Sequence, residues 1–159
     1  MSKKIYLIED EPKDFNLIKE KLTEFEIIPV DYDSAFIEVR NYLKYPTEEN
    51  KKSVVDYILK NEIEIIILDI QLWGNDYGGK YLYDRIISQE EKIKNTIVIY
   101  LTKTALQSQL TLDKFNAYVE KRINSRGFDV EATVARIKDE IEKLLKMRDS
   151  NYQWYSDNL

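Results

Sequence analysis

"IIILDIQLWGNDYGG", residues 65 to 79, places four apolar residues in a row directly before one carboxylate, Asp69, and then a segment carrying Gly74, Gly78 and Gly79. A short, unbroken, β-branched run of this kind reads as a strand buried on both faces. It ends on a charge. A strand that terminates on an acid, with a glycine-containing loop behind it, asks what the carboxylate does at the sheet edge, and the rest of the chain supplies the context.

Three further runs resemble the first. Ile5 to Ile8 form a short apolar strand that leads straight into Glu9, Asp10 and Glu11; Thr96 to Leu101 form another that leads into Thr102; Ala117 to Val119 form a third that leads to Lys121. Helical periodicity fills the gaps. Pro12 opens a helix carrying Phe15, Ile18, Leu22 and Phe25, Lys80 to Ile87 read as a second, and Ala105 to Leu112 as a short one. From Val130 the positions Val134, Ile137, Ile141, Leu144 and Leu145 lay down one apolar stripe. Ile27 to Val30 read as an edge strand, because Pro29 lacks the N–H that a central ladder needs. Residues 34 to 60 read as helical but broken at Tyr45-Pro46, with Ser53 to Lys60 the clearer half. Strands that alternate with helices predict an α/β fold with a doubly wound parallel sheet.

Composition narrows the chemistry. With 159 residues the chain suits one compact domain, read as 1 to 147, followed by a polar, aromatic tail or start of a linker, 148 to 159. Its 24 basic and 29 acidic residues give a formal net charge of −5, with no basic run, which argues against nucleic acid as a partner. No apolar stretch approaches a membrane span and no signal peptide is evident, so a cytoplasmic location is expected. Cysteine and histidine are both absent. Thiolate chemistry, disulfides and soft-metal sites are thereby excluded, and any reaction must use carboxylates, hydroxyls or lysine.

In an open α/β sheet, ligands sit at the carboxyl ends of the strands. Glu9, Asp10, Asp69, Thr102 and Lys121 all fall there. Singly, each has an ordinary account: acids that complement a helix N-terminus, an aspartate that caps a turn, a β-forming threonine, a solvated lysine. Jointly they describe a crevice of carboxylates that needs a proton or a cation. Oxygen ligands alone favour Mg2+.

The segments "IYLIEDEP" (5 to 12), "IIILDIQL" (65 to 72), "VIYLTKTA" (98 to 105) and "AYVEKR" (117 to 122) resemble the receiver domain of two-component response regulators. That resemblance spans residues 3 to 147. It implies a flavodoxin-like, CheY-like sheet of five parallel strands in the order 2-1-3-4-5, for which receivers are a standard example. It further implies that Asp69 is the phosphoacceptor, Glu9 and Asp10 the metal acids, Thr102 the switch hydroxyl, Tyr118 the switch aromatic and Lys121 the phosphate-pairing lysine. Mg2+ would bridge Asp10, Asp69 and the backbone carbonyl at Gln71, while Gln71 and Lys103 would tune hydrolysis. The implied partner is a histidine kinase or phosphotransfer protein, with homodimerisation through the helix at 105 to 112, the fifth strand and the last helix. Such a protein is a phosphoacceptor with self-phosphotransfer and autophosphatase activity, not a multiple-turnover enzyme.

Four features depart from the pattern. The interval from Asp10 to Asp69 is long, with its surplus around Arg40 to Lys52, which predicts a lengthened or doubled second helix. The interval from Thr102 to Lys121 is short. Lys103 stands where a small residue is usual, and Arg122 where a proline is usual. Two rivals remain at this stage: a degenerate receiver that binds proteins without phosphorylation, and an aspartyl phosphohydrolase. The second lacks its general acid, since Gln71 occupies that position.

Overall fold

A computed structural model describes residues 2–32, 36–103 and 112–158, with side chains up to residue 150. Five parallel strands form the sheet: β1 (Lys4–Ile8), β2 (Glu26–Ile28), β3 (Ile65–Asp69), β4 (Ile97–Thr102) and β5 (Asn116–Glu120), in the order β2-β1-β3-β4-β5. The expected doubly wound architecture is therefore observed. Residues 5–8, all of β3 and all of β4 are buried, as their uninterrupted apolar sequences require of strands covered on both faces. β2 lies at the edge. Pro29, which has no N–H for the ladder, follows its last residue, so the strand stops at Ile28 instead of running through the proline to Val30.

Helices α1 (Pro12–Lys21) and α5 (Val130–Asn158) pack together against one face, and α5 also covers β4 and β5. The other face is covered by α2 (Ile37–Lys44), α3 (Glu48–Lys60) and α4 (Gly78–Leu82), which continues as a π-helical turn over Tyr83–Ile87. The enlarged second-helix region is thus a pair of helices. Pro46 interrupts helical hydrogen bonding between them, and Thr47 restarts it by accepting from the Asn50 N–H at 3.1 Å. On α5 the apolar stripe buries Val134, Ile137, Ile141 and Leu144. Its backbone stays helical past Met147 to Asn158, over the segment read as a tail or linker. No helix among the described residues is long and apolar enough to cross a membrane. The helix expected at 105 to 112 falls almost wholly outside the described residues.

Between β5 and α5 the chain forms a small antiparallel hairpin, β6 (Ile123–Asn124) and β7 (Gly127–Phe128), which periodicity did not announce. Arg122 leads into it. Its backbone N–H donates to the Thr133 hydroxyl on α5 at 2.9 Å, a bond that proline at this position could not make.

Register explains why the strand ends meet. Leu68 pairs with Ile8, Asp69 with Leu101 and Thr102 with Glu120, so Glu9, Asp69, Thr102 and Lys121 emerge at one level. Lys121 also donates its backbone N–H to the Thr102 carbonyl at 2.8 Å.

The loop glycines serve two purposes. Gly74, at φ 81°, makes a left-handed turn that disfavours any side chain. Gly79, the second residue of α4, lies against the end of β3: its N–H donates to the Ile70 carbonyl at 2.9 Å, and a Cβ there would overlap the Asp69 carbonyl. Backbone cannot yield as a flexible side chain does, so Gly79→Ala should cost about 1 to 3 kcal/mol and displace Asp69. Urea denaturation of the two proteins measures the first effect, and amide shifts around Asp69 the second.

Candidate functional site

Glu9 and Asp69 are fully buried, and the Lys121 ammonium lies between them. Its Nζ is 2.7 Å from Glu9 Oε2, 3.1 Å from Asp69 Oδ2 and 3.2 Å from Asp14 Oδ2. The lysine is therefore not a solvated surface residue. The ring of Phe128, 5.9 Å from Nζ, lies close to it on the hairpin side.

Local backbone groups orient the acids. The Gln71 N–H donates to Asp69 Oδ1 at 3.2 Å, the Glu11 N–H to Glu9 Oε1 at 3.1 Å, and the Trp73 N–H to Asp10 Oδ2 at 2.9 Å. Trp73 reaches that position through a left-handed backbone, φ 45°, in the loop that Gly74 continues. Phe36 packs against its ring at a tilt, with centroids 5.4 Å apart, and the Arg40 guanidinium lies 5.3 Å from the ring centre. The hydroxyl of Tyr32 donates to the Asp10 carbonyl. Trp73, Tyr32 and Asp14 were not singled out from sequence. Asp14 had one legible signal, since it falls in the first turn of α1, four residues after Asp10.

Charge decides the character of the crevice. Burial pushes the Glu9 carboxyl up to about 9, helped by repulsion from Asp69 and opposed by Lys121. Burial alone would lower the Lys121 ammonium, but Asp69 and Glu9 outweigh it and hold the pKa above its usual value. Glu9, Asp10 and Asp69 present carboxylate oxygens within 4.8 Å of one another. This set is all hard oxygen, carries surplus negative charge, and contains a carboxyl that retains a proton in the absence of a cation. It fits a Mg2+-class ion.

Thr102 is buried at the end of β4, and its hydroxyl has no hydrogen-bond partner among the described residues. Tyr118, half-buried on β5, packs its ring 5.7 Å from that of Tyr100. Gln71 is half-buried and donates its side-chain amide to Asp76 at 3.2 Å. Lys103 is exposed, one residue past β4. The site residues read from sequence thus share one sheet edge, with Tyr118 on the flank and Lys103 on the rim.

No protein-family profile matches the chain, and no curated protein does. Solved structures do. The receiver domain of a signal transduction histidine kinase from Syntrophus aciditrophicus superposes with a TM-score of 0.58 at 16% identity, over 91% of this chain and 91% of that one. The phosphorylated cyanobacterial phytochrome response regulator RcpA gives 0.56 at 21% identity, over 92% and 96%. A response regulator in its Mn2+-bound form gives 0.53 at 19% identity, over 86% and 91%. The likeness is one of fold: the chain has the CheY-like fold of response regulator receiver domains.

The raised Glu9 pKa has a thermodynamic consequence. Between its ordinary 4.5 and about 9, the folded metal-free protein holds a proton that the unfolded chain releases. Stability is then full below the unfolded pKa and falls as pH rises toward 9. Urea midpoints taken in EDTA between about pH 5 and pH 9 should decline, and Glu9→Gln should flatten the decline. A wild-type slope unchanged by that substitution would assign the proton elsewhere.

Proposed function

We propose that this chain is a two-component receiver that accepts a phosphoryl group on Asp69 from a phosphohistidine of a histidine kinase or phosphotransfer protein. The single observation that carries the reading is the position of Asp69, fully buried at a strand end between an acid cluster suited to a divalent cation and the Lys121 ammonium, 3.1 Å away. Two of the proteins similar in fold are in forms that fit it: one is phosphorylated and one is Mn2+-bound.

In the proposed reaction an Asp69 carboxylate oxygen attacks phosphorus, the P–N bond to the donor imidazole breaks with its electron pair leaving on nitrogen, and an acyl phosphate forms. Phosphoryl transfer has a loose transition state, so the protein's task is to position the nucleophile and balance charge on the oxygens. Gln71 N–H and Lys121 fix the two oxygens of Asp69. Lys121 and the Thr102 hydroxyl are donors available to the incoming phosphoryl oxygens, and Thr102 gains a partner where it has none among the described residues. Mg2+, held by Asp10, Asp69 and the Gln71 carbonyl with Glu9 behind them, supplies neutralising positive charge when bound.

Thr102 leads toward β5, so its capture would be read out around Tyr118, and we place the partner-binding or homodimer surface on the side of β5 and α5. A cytoplasmic location goes with a kinase-borne donor. The presence of the acceptor, both acids, the hydroxyl and the lysine weighs against a degenerate module, which would have no use for a buried cluster of this charge.

Incubation with acetyl phosphate and Mg2+ should add one phosphoryl mass to the intact protein, and neither Asp69→Asn nor the EDTA-treated protein should gain it. Retention of the added mass in Asp69→Asn would refute the assignment.

Lys103, cationic and on the rim beside the phosphoryl site, should slow hydrolysis by narrowing the approach of water and stabilising the added charge. Lys103→Ala should therefore shorten the phosphoryl lifetime by about 3- to 30-fold, the loss of one charge-assisted contact. Decay followed by intact mass gives the answer, and equal lifetimes would leave Gln71 as the tuning position.

A further inference from the structure

Asp14 touches the Lys121 ammonium without belonging to the acid cluster that would hold the cation. An ammonium has three hydrogens. Nζ donates to Asp69 Oδ2 at 3.1 Å and to Asp14 Oδ2 at 3.2 Å and lies 2.7 Å from Glu9 Oε2 as an ion pair, so a phosphoryl oxygen that approaches it competes with these carboxylates. To turn toward one, it loosens its hold on a carboxylate. Asp69 is fully buried, and stripping it of its counter-charge would leave a dehydrated anion; Glu9 is fully buried too, where water cannot readily take the place of the ammonium. The Asp14 side chain retains 16% exposure, so water can replace the ammonium there at small cost.

Resting on the receiver reading, we propose that Asp14 is a positioning residue that holds Lys121 in the resting protein and yields it to the phosphoryl group, so that its charge sets how readily Asp69 is phosphorylated. Asp14 sits on α1, whereas Lys121 follows β5, so the exchange of partners occurs between the first helix and the end of the fifth strand. The carboxylate acts in two ways with one sign. It competes with the phosphoryl oxygens for the same hydrogen, and it repels the anionic donor. Removal of its charge eases both.

The test uses the full chain with acetyl phosphate and Mg2+, the phosphorylated fraction being followed by intact mass. Asp14→Asn should be phosphorylated about three- to tenfold faster than wild type, as expected for the loss of one partly exposed competing charge. Asp14→Ala should match it, and Asp14→Glu should return toward the wild-type rate. Glu11→Gln removes an exposed charge from the neighbouring rim without touching Lys121, and should stay within about twofold of wild type. In the metal-free protein, the 15N resonance of the Lys121 ammonium should shift in Asp14→Asn, a change that a purely helix-stabilising aspartate would not cause. A wild type that takes no phosphoryl group refutes the receiver reading and this inference with it. A wild type that is phosphorylated, with Asp14→Asn no faster, refutes the positioning role alone. So does equal acceleration in Glu11→Gln, or an ammonium resonance that stays in place.

Discussion

One lysine ammonium, buried among Glu9, Asp14 and Asp69 at the edge of the sheet, is the interaction on which the site depends. Two carboxylates without exposure could not remain side by side uncompensated, since their repulsion in a poorly hydrated crevice would far exceed a typical margin of stability. Lys121 compensates one charge. The remainder is carried by a proton on Glu9 or, in the proposed function, by a divalent cation. The acids need relief and a phosphoryl group needs a counter-charge, so the same arrangement serves both.

That arrangement is affordable because the surrounding sheet is stiff. β3 and β4 are buried along their full length, and their register presents Asp69 beside Leu101 one step before Thr102. Gly79 brings the backbone of α4 against the Asp69 carbonyl, closer than any side chain would allow. Apolar packing on both faces thus supplies the rigidity, while the polar groups are confined to the last residue of each strand and the loops beyond.

The doubled helix region has a structural role near the site. α2 lies against α3 and α4, and Arg40 from α2 together with Phe36 just before it clasps the Trp73 ring. The Trp73 backbone N–H holds the Asp10 carboxylate. An inserted helix on one face of the sheet is thereby linked to an acid at its edge. Arg40 and Trp73 also line a cavity of about 510 Å3 between α2 and the loop after β3.

The sheet and the membership of its charged edge are legible in the order of the residues alone. Apolar runs of three to six residues between helical segments suit a parallel sheet covered on both faces, and parallel strands place all their carboxyl ends on one side, so Glu9, Asp10, Asp69, Thr102 and Lys121 share an edge. Pro46 likewise announced the break between α2 and α3, and Pro29 the edge strand. Which of these groups touch follows from the three-dimensional packing. Lys121 selects Asp14 because α1 and the end of β5 converge, and Asp10 is held by Trp73 because a left-handed turn aims that backbone N–H back across the crevice. Neither contact has a periodicity. Each joins residues more than 60 positions apart through strand register and loop geometry, which local patterns of hydrophobicity and charge do not encode.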